Sequence, residues 1–188
     1  MLNVDPLAPG GLRYVRREEF DRMVEVGLFR DEKVELLRGL LVTMSPSGAP
    51  HMEVIDRLNE LLVLSLTQRA RVRVQGSFAA SAESQPEPDI AVVPRADHSR
   101  QHPQSAHLVV EVSDSSLARD RQIKAAIYAS SGVPEYWIVN LVDDVIEVRT
   151  EPQGDTYARV TPYRRGESIC LTAFPDVTLE VDAILPSA

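Results

Sequence analysis

Residues 107–140 read HLVVEVSDSSLARDRQIKAAIYASSGVPEYWIVN. This stretch predicts strand, helix, strand. Leu108 to Val112 is an apolar run broken only by Glu111, and period-two alternation puts that carboxylate on the same face as Val109 and Ser113. In the helix that follows, a rotation of about 100° per residue gathers Leu117, Asp120, Ile123, Lys124, Ile127 and Tyr128 into one arc, with Gln122, Ala125, Ala126 and Ala129 opposite. Asp120 and Lys124 therefore stand inside an apolar stripe. Ser115 or Ser116 is placed to cap the start, and Gly132 followed by Pro134 gives a left-handed stop and a block to continuation.

Working outward, residues 1–13 carry Pro6, Pro9, Gly10 and Gly11 and read as an irregular arm, which leaves 14–188 as a single domain. Phe20, Met23, Val24 and Leu28 recur at helical spacing from Arg17 to Phe29. Lys33 to Met44 has two apolar runs split by Arg38-Gly39 and reads as a hairpin, although its leucine content would also permit a helix. A long amphipathic helix is expected from His51 to Gln68, starting near Pro50. Strands follow at Val72–Gln75, Ser77–Ala80 and Ile90–Val93, with Asp89 at the mouth of the last, then a long polar loop from Pro94 to Ala106. Beyond Tyr136–Asn140, strands at 145–149, 157–163, 168–172 and 177–181 make a strand-rich C-terminal third.

Hydrophobic residues at 44% and charged residues at 26% suit a water-soluble globular chain, and no uncharged apolar run approaches the roughly 18 residues of a membrane span. The start lacks a basic-then-apolar export signal, and the single cysteine, Cys170, permits no intramolecular disulfide, so a reducing cytoplasm is the expected setting. A net charge of -8 argues against a protein that coats nucleic acid nonspecifically, while leaving room for a small basic site. Arginines cluster at Arg69, Arg71 and Arg73 and again at Arg119 and Arg121, an arrangement just as often found on solvated faces. Of 20 basic residues only Lys33 and Lys124 are lysine, so a lysine here is a departure from the chain's preferred cation.

Asp89 and Glu111 on adjacent strands offer hard oxygen ligands of the kind Mg²⁺ or Mn²⁺ takes. Such an ion suits phosphate chemistry, and a nearby ammonium from Lys124 would orient water or offset charge building on phosphorus. The same residues admit a purely structural reading, with Asp120 and Lys124 as an i,i+4 ion pair and Glu111 paired to an arginine at a sheet edge. His98, His102 and His107 match no standard zinc spacing. Cys170 reads as a small core residue, and His51 as a surface or capping residue.

The order Pro88-Asp89, then VEVS at Val110 to Ser113, then D-x3-K-x3-Y at Asp120, Lys124 and Tyr128, then GVPEYW at Gly132 to Trp137 resembles the putative restriction endonuclease family of the PD-(D/E)xK nuclease superfamily. VELLRG with Glu35 and Gly39 resembles that family's early hairpin, and SPSGAPH ending in His51 its loop before the first long helix. The resemblance implies a mixed α/β fold: a restriction-endonuclease-like core with a central mixed sheet flanked by helices, an N-terminal hairpin and a strand-rich C-terminal extension. It implies Asp89 and Glu111 as metal ligands for Mg²⁺ or Mn²⁺, Lys124 as the catalytic lysine and Glu35 as an additional acid. Ser113, His51, Tyr128 and Asp120 would support them, Asp120 by holding Lys124. The implied function is metal-dependent hydrolysis of DNA by a homodimer, against the alternative of a catalytically inactive binding module on the same fold. Ser113 occupies the position where the superfamily usually has its lysine, so Lys124 must return from the following helix.

Overall fold

The computed structural model describes residues 12–186; residues 1–11, most of the expected arm, lie outside it. Helix α1 (Arg17–Glu25) is followed by strands β1 (Val34–Leu37) and β2 (Leu40–Thr43), helix α2 (Ala49–Leu66), and strands β3 (Arg71–Val74), β4 (Ile90–Val93) and β5 (Leu108–Ser113). A short α3 (Leu117–Arg119) runs through a π-helical turn at Asp120–Lys124 into α4 (Ala125–Ser130). The chain then forms β6 (Glu135–Asn140), β7 (Val145–Gln153), β8 (Thr156–Tyr163), β9 (Ser168–Leu171), β10 (Phe174–Glu180) and α5 (Val181–Ile184).

Strands β3 to β8 build one six-stranded sheet in chain order, with every pair antiparallel except β5–β6. That parallel pair needs a crossover, which the α3–α4 segment supplies. Alternation along β5 divides the core. Leu108, Val110 and Val112 pack with Val54, Ile55, Leu58, Leu62 and Leu66 of α2. Val109 packs on the other side with Ala125 and Tyr128 of α4 and Tyr136 of β6. Glu111 and Ser113 follow Val109 by twos, so they face the crossover helix.

The β1–β2 hairpin forms at the expected place because Arg38 and Gly39 both take positive φ, 50° and 78°, as a type I′ turn requires. Gly39 also has no room for a side chain, since a Cβ there would collide with Tyr14. Gly39→Ala is expected to lower stability by about 1–3 kcal/mol, read as an earlier urea midpoint; an unchanged midpoint would refute this account of the turn.

Several local expectations differ from what forms. Helix α1 stops at Glu25, and Phe20 is its one buried residue, because Gly27 at φ 74° turns the chain away before Leu28. Helix α2 starts at Ala49, so His51 belongs to its first turn. No strand forms at 77–80. There Phe78 N–H donates to Pro86 and Ala79 N–H to Pro103, two separate segments, so consecutive residues are buried where a strand would alternate. Cys170 is exposed, not core, since β9 turns Ile169 and Leu171 inward on either side of it. The final strand begins earlier, at Phe174, and Val181 opens α5.

The C-terminal hairpin β9–β10 is joined to the sheet through Glu135, which is buried at the start of β6. Its carboxylate accepts hydrogen bonds from Trp137 Nε1 and from the Thr172 N–H, each 2.7 Å. Burial raises the Glu135 pKa even though both bonds favour the charged form.

Candidate active site

Asp89 stands immediately before Ile90, whose partner on β5 is Val110, so it lies beside Glu111 at the end of the strand pair. One Asp89 oxygen accepts the Val112 N–H at 2.8 Å, and the other meets His51 Nε2 at 3.2 Å. These two bonds fix the carboxylate between the sheet and the first turn of α2.

Lys124 returns from the crossover to the place that Ser113 leaves without a charge. Its ammonium lies 3.0 Å from Glu111 Oε1 and 3.1 Å from Glu35 Oε2. Glu35 comes from β1, so the N-terminal hairpin contributes directly to the cluster. Tyr128 O–H donates to the same Glu111 oxygen at 2.6 Å, and the Glu87 N–H donates to Glu35 at 3.3 Å. Glu35, Glu111, Asp120 and Lys124 are all less than 5% exposed, so none of these charges is screened by bulk water.

Asp120 forms no ion pair with Lys124, whose ammonium pairs with Glu35 and Glu111. Its carboxylate accepts hydrogen bonds from the hydroxyls of Ser113, at 2.7 Å, and Ser116. Ser116 thus spends its hydroxyl on Asp120, and no side-chain cap forms at the start of α3. The turn that carries both Asp120 and Lys124 is π-helical. Ile123, expected inside the stripe, is 39% exposed, while Lys124 to Ala129 are all buried. The helix is thus enclosed on every side there, and the face of Ala125, Ala126 and Ala129, expected outside, is covered as well. Tyr136 O–H, 3.2 Å away, donates to the Asp120 carbonyl inside that turn.

The electrostatics follow from crowding. Burial pulls the Lys124 ammonium towards deprotonation, but the charges of Glu111, Glu35 and Asp120 outweigh it and hold the pKa above the ordinary lysine value. Burial also drives Glu111 well above the usual carboxylate range despite Lys124, with Asp120, Asp89 and Glu35 pushing the same way. Both shifts have one meaning: the carboxylates of Glu111, Glu35 and Asp120 about one ammonium, with Asp89 beside Glu111, favour added positive charge. Tyr128 is held neutral by burial and by the adjacent Glu111. At His51 burial favours the neutral ring, and the hydrogen bond and charge of Asp89 overcome it and raise the pKa.

His51, Asp89, Glu111, Asp120 and Lys124 line a cleft of about 530 Å³ that Lys33, Glu87, Asp114 and Arg119 also border. Sequence reading missed Glu87 and Asp114, and met Arg119 only as one of a local pair of arginines. Glu87 sits two residues before Asp89, and Asp114 directly follows Ser113; proximity to a candidate site residue was the available signal. Glu35 Oε1 and Asp120 Oδ1 are buried without a hydrogen-bond partner. Among the described residues no group of three or more His, Cys, Asp or Glu side chains is arranged for metal binding as the side chains stand, because Glu111 Oε1 is turned to Lys124 and Tyr128. The chemistry of the donors nevertheless fits a hard cation: oxygens only, an excess of negative charge, and two carboxylate oxygens lacking any partner.

Residues 17–182 match the Uma2 family model, described as putative restriction endonuclease. The chain belongs to that family. It is also similar in structure to a putative nuclease belonging to DUF820 from Anabaena variabilis, with a TM-score of 0.70 at 13% identity over 90% of this chain and 97% of that one. That likeness establishes the shared fold. No curated protein matches the chain. No helix among the described residues is long and apolar enough to cross a membrane.

Proposed function

We propose that this protein is a metal-dependent nuclease that hydrolyses phosphodiester bonds in DNA. The observation that carries the reading is the Lys124 ammonium clasped by Glu111 and Glu35, with Lys124, Glu111 and Asp89 all bordering one cleft. The description of the family, and the nuclease named as its structural neighbour, point the same way.

In this reading Asp89 and Glu111 hold Mg²⁺, or Mn²⁺ in its place. The ion, when bound, polarises a phosphoryl oxygen and makes a coordinated water more acidic. Lys124 stays protonated, so its role is to donate: it orients the attacking water or offsets negative charge on the phosphoryl oxygens as the bond to phosphorus forms. Glu35 keeps that ammonium in place, Tyr128 fixes the Glu111 carboxylate, and His51 fixes Asp89. Ser113 and Ser116 hold Asp120, which anchors the turn carrying Lys124. The same reading takes 14–188 as one domain and the active form as a cytoplasmic homodimer, so that two sites face two strands.

Incubation of supercoiled plasmid with the protein tests this. Nicked or linear product is expected with Mg²⁺ or Mn²⁺ and none with EDTA. Folded protein that retains DNA in a gel shift yet leaves it uncut with either metal would overturn catalysis and favour the inactive binding module.

A further inference from the structure

The cations bordering the cleft are not equivalent. Lys124 is committed to Glu111 and Glu35, and His51 to Asp89. Lys33 lies 3.5 Å from Glu87 and 3.3 Å from Gln75. Arg119 alone among them has no ion pair and no side-chain hydrogen bond to any described residue, although Asp114 and Asp120 border the same cleft. Its Nε is buried without an acceptor. A buried N–H in that condition costs free energy until an acceptor arrives. Arg17, Arg73 and Arg149 have an Nε in the same state, but none of them borders the cleft.

The backbone beneath Arg119 is held firmly. Its N–H donates to Ser116 O at 2.8 Å, and the next residue, Asp120, is tied to Ser113 and Ser116. The guanidinium is thus presented from a fixed base into a cleft whose other charges are mainly carboxylates. Such a cleft repels a polyanion unless one cation is left over to receive it. A planar fork of N–H donors matches the two non-bridging oxygens of a phosphodiester.

We infer that Arg119 is a phosphate-binding residue of the cleft, which receives a backbone phosphate of the DNA strand and so seats it against the Asp89–Glu111–Lys124 cluster. This rests on the nuclease reading above, and it adds the residue by which a strongly acidic protein engages its substrate.

The test is fluorescence anisotropy of a short labelled duplex, with Ca²⁺ replacing Mg²⁺ to prevent turnover. Arg119→Ala is expected to weaken binding about tenfold or more. The slope of log affinity against log salt should become shallower by about 0.9, the signature of one lost phosphate contact. Arg119→Lys should restore the slope but only part of the affinity. Arg159→Ala removes the same charge from a residue paired with Glu151 on the β7–β8 hairpin, and it should change neither. Calorimetric Mn²⁺ binding should be the same in Arg119→Ala as in wild type. Equal affinity and slope for Arg119→Ala and wild type would overturn the assignment while leaving the nuclease reading standing. Loss of Mn²⁺ heats in Arg119→Ala would also overturn it, by showing that the residue acts through the carboxylates. Wild type that binds no duplex would count against the nuclease reading, and the anchor would fall with it.

Discussion

Lys124→Ala is expected to lose cleavage by about 10²–10⁴-fold, the range for removing a positioned proton donor or acceptor from a reacting centre. The same change should cost about 3–5 kcal/mol of folding stability, because it leaves buried carboxylates without their counter-charge. Glu111 and Glu35 both approach the ammonium within 3.1 Å and both are nearly inaccessible to water, so solvent cannot substitute for it. Chemical denaturation of the metal-free protein measures the second effect and plasmid cleavage the first. A variant of wild-type stability would refute the buried clasp, and a variant of wild-type activity would remove Lys124 from the mechanism. Since an unfolded variant is also inactive, Lys124→Arg serves as the control: it keeps the charge, yet its bulky planar head cannot reproduce the two contacts, and activity should still fall.

Glu111→Gln is expected to separate the two effects. The amide retains the shape and one acceptor for Lys124 or Tyr128, while Lys124 keeps its partner Glu35. Burial and three neighbouring acids already disfavour charge on Glu111, so its neutral replacement should leave stability unchanged or raise it. Cleavage should fall by at least about 10²-fold, since even residues that merely orient metal ligands cost 10–100-fold when removed. Matched denaturation and cleavage assays check both halves. An active Glu111→Gln protein would exclude the carboxylate as a ligand; a severely destabilised one would show that its role is to balance Lys124.

The contrast between these variants explains what the sequence made legible. Alternation over Leu108 to Ser113 placed Glu111 on the face of Val109 and Ser113, which β5 turns towards the crossover helix, and the family resemblance implied the mixed sheet that forms. Arg38-Gly39 marked the hairpin because both positions need positive φ. The arrangement of the cluster was less accessible. A uniform 100° rotation anticipates neither the π-helical turn nor the enclosure of the helix: Ile123, placed in the apolar arc, is exposed, and Ala125, placed opposite, is buried along with Ile127 and Tyr128. An i,i+4 rule paired Asp120 with Lys124, whereas Ser113 and Ser116 capture Asp120 and Lys124 turns to Glu35 on a distant hairpin. Local periodicity describes one element at a time; which acid meets which base depends on tertiary packing. The mistaken strand at 77–80 has the same origin, with its hydrogen bonds divided between segments far apart in the chain.

Glu35, Glu111 and Asp120 about a single ammonium, with Asp89 beside Glu111, form an arrangement that favours added positive charge. Isothermal titration of Mn²⁺ into metal-free wild type and into Asp89→Ala tests that claim most directly. Site-specific heat in wild type, lost in an Asp89→Ala protein that remains folded, is the predicted result; equal and negligible heats in both would contradict it.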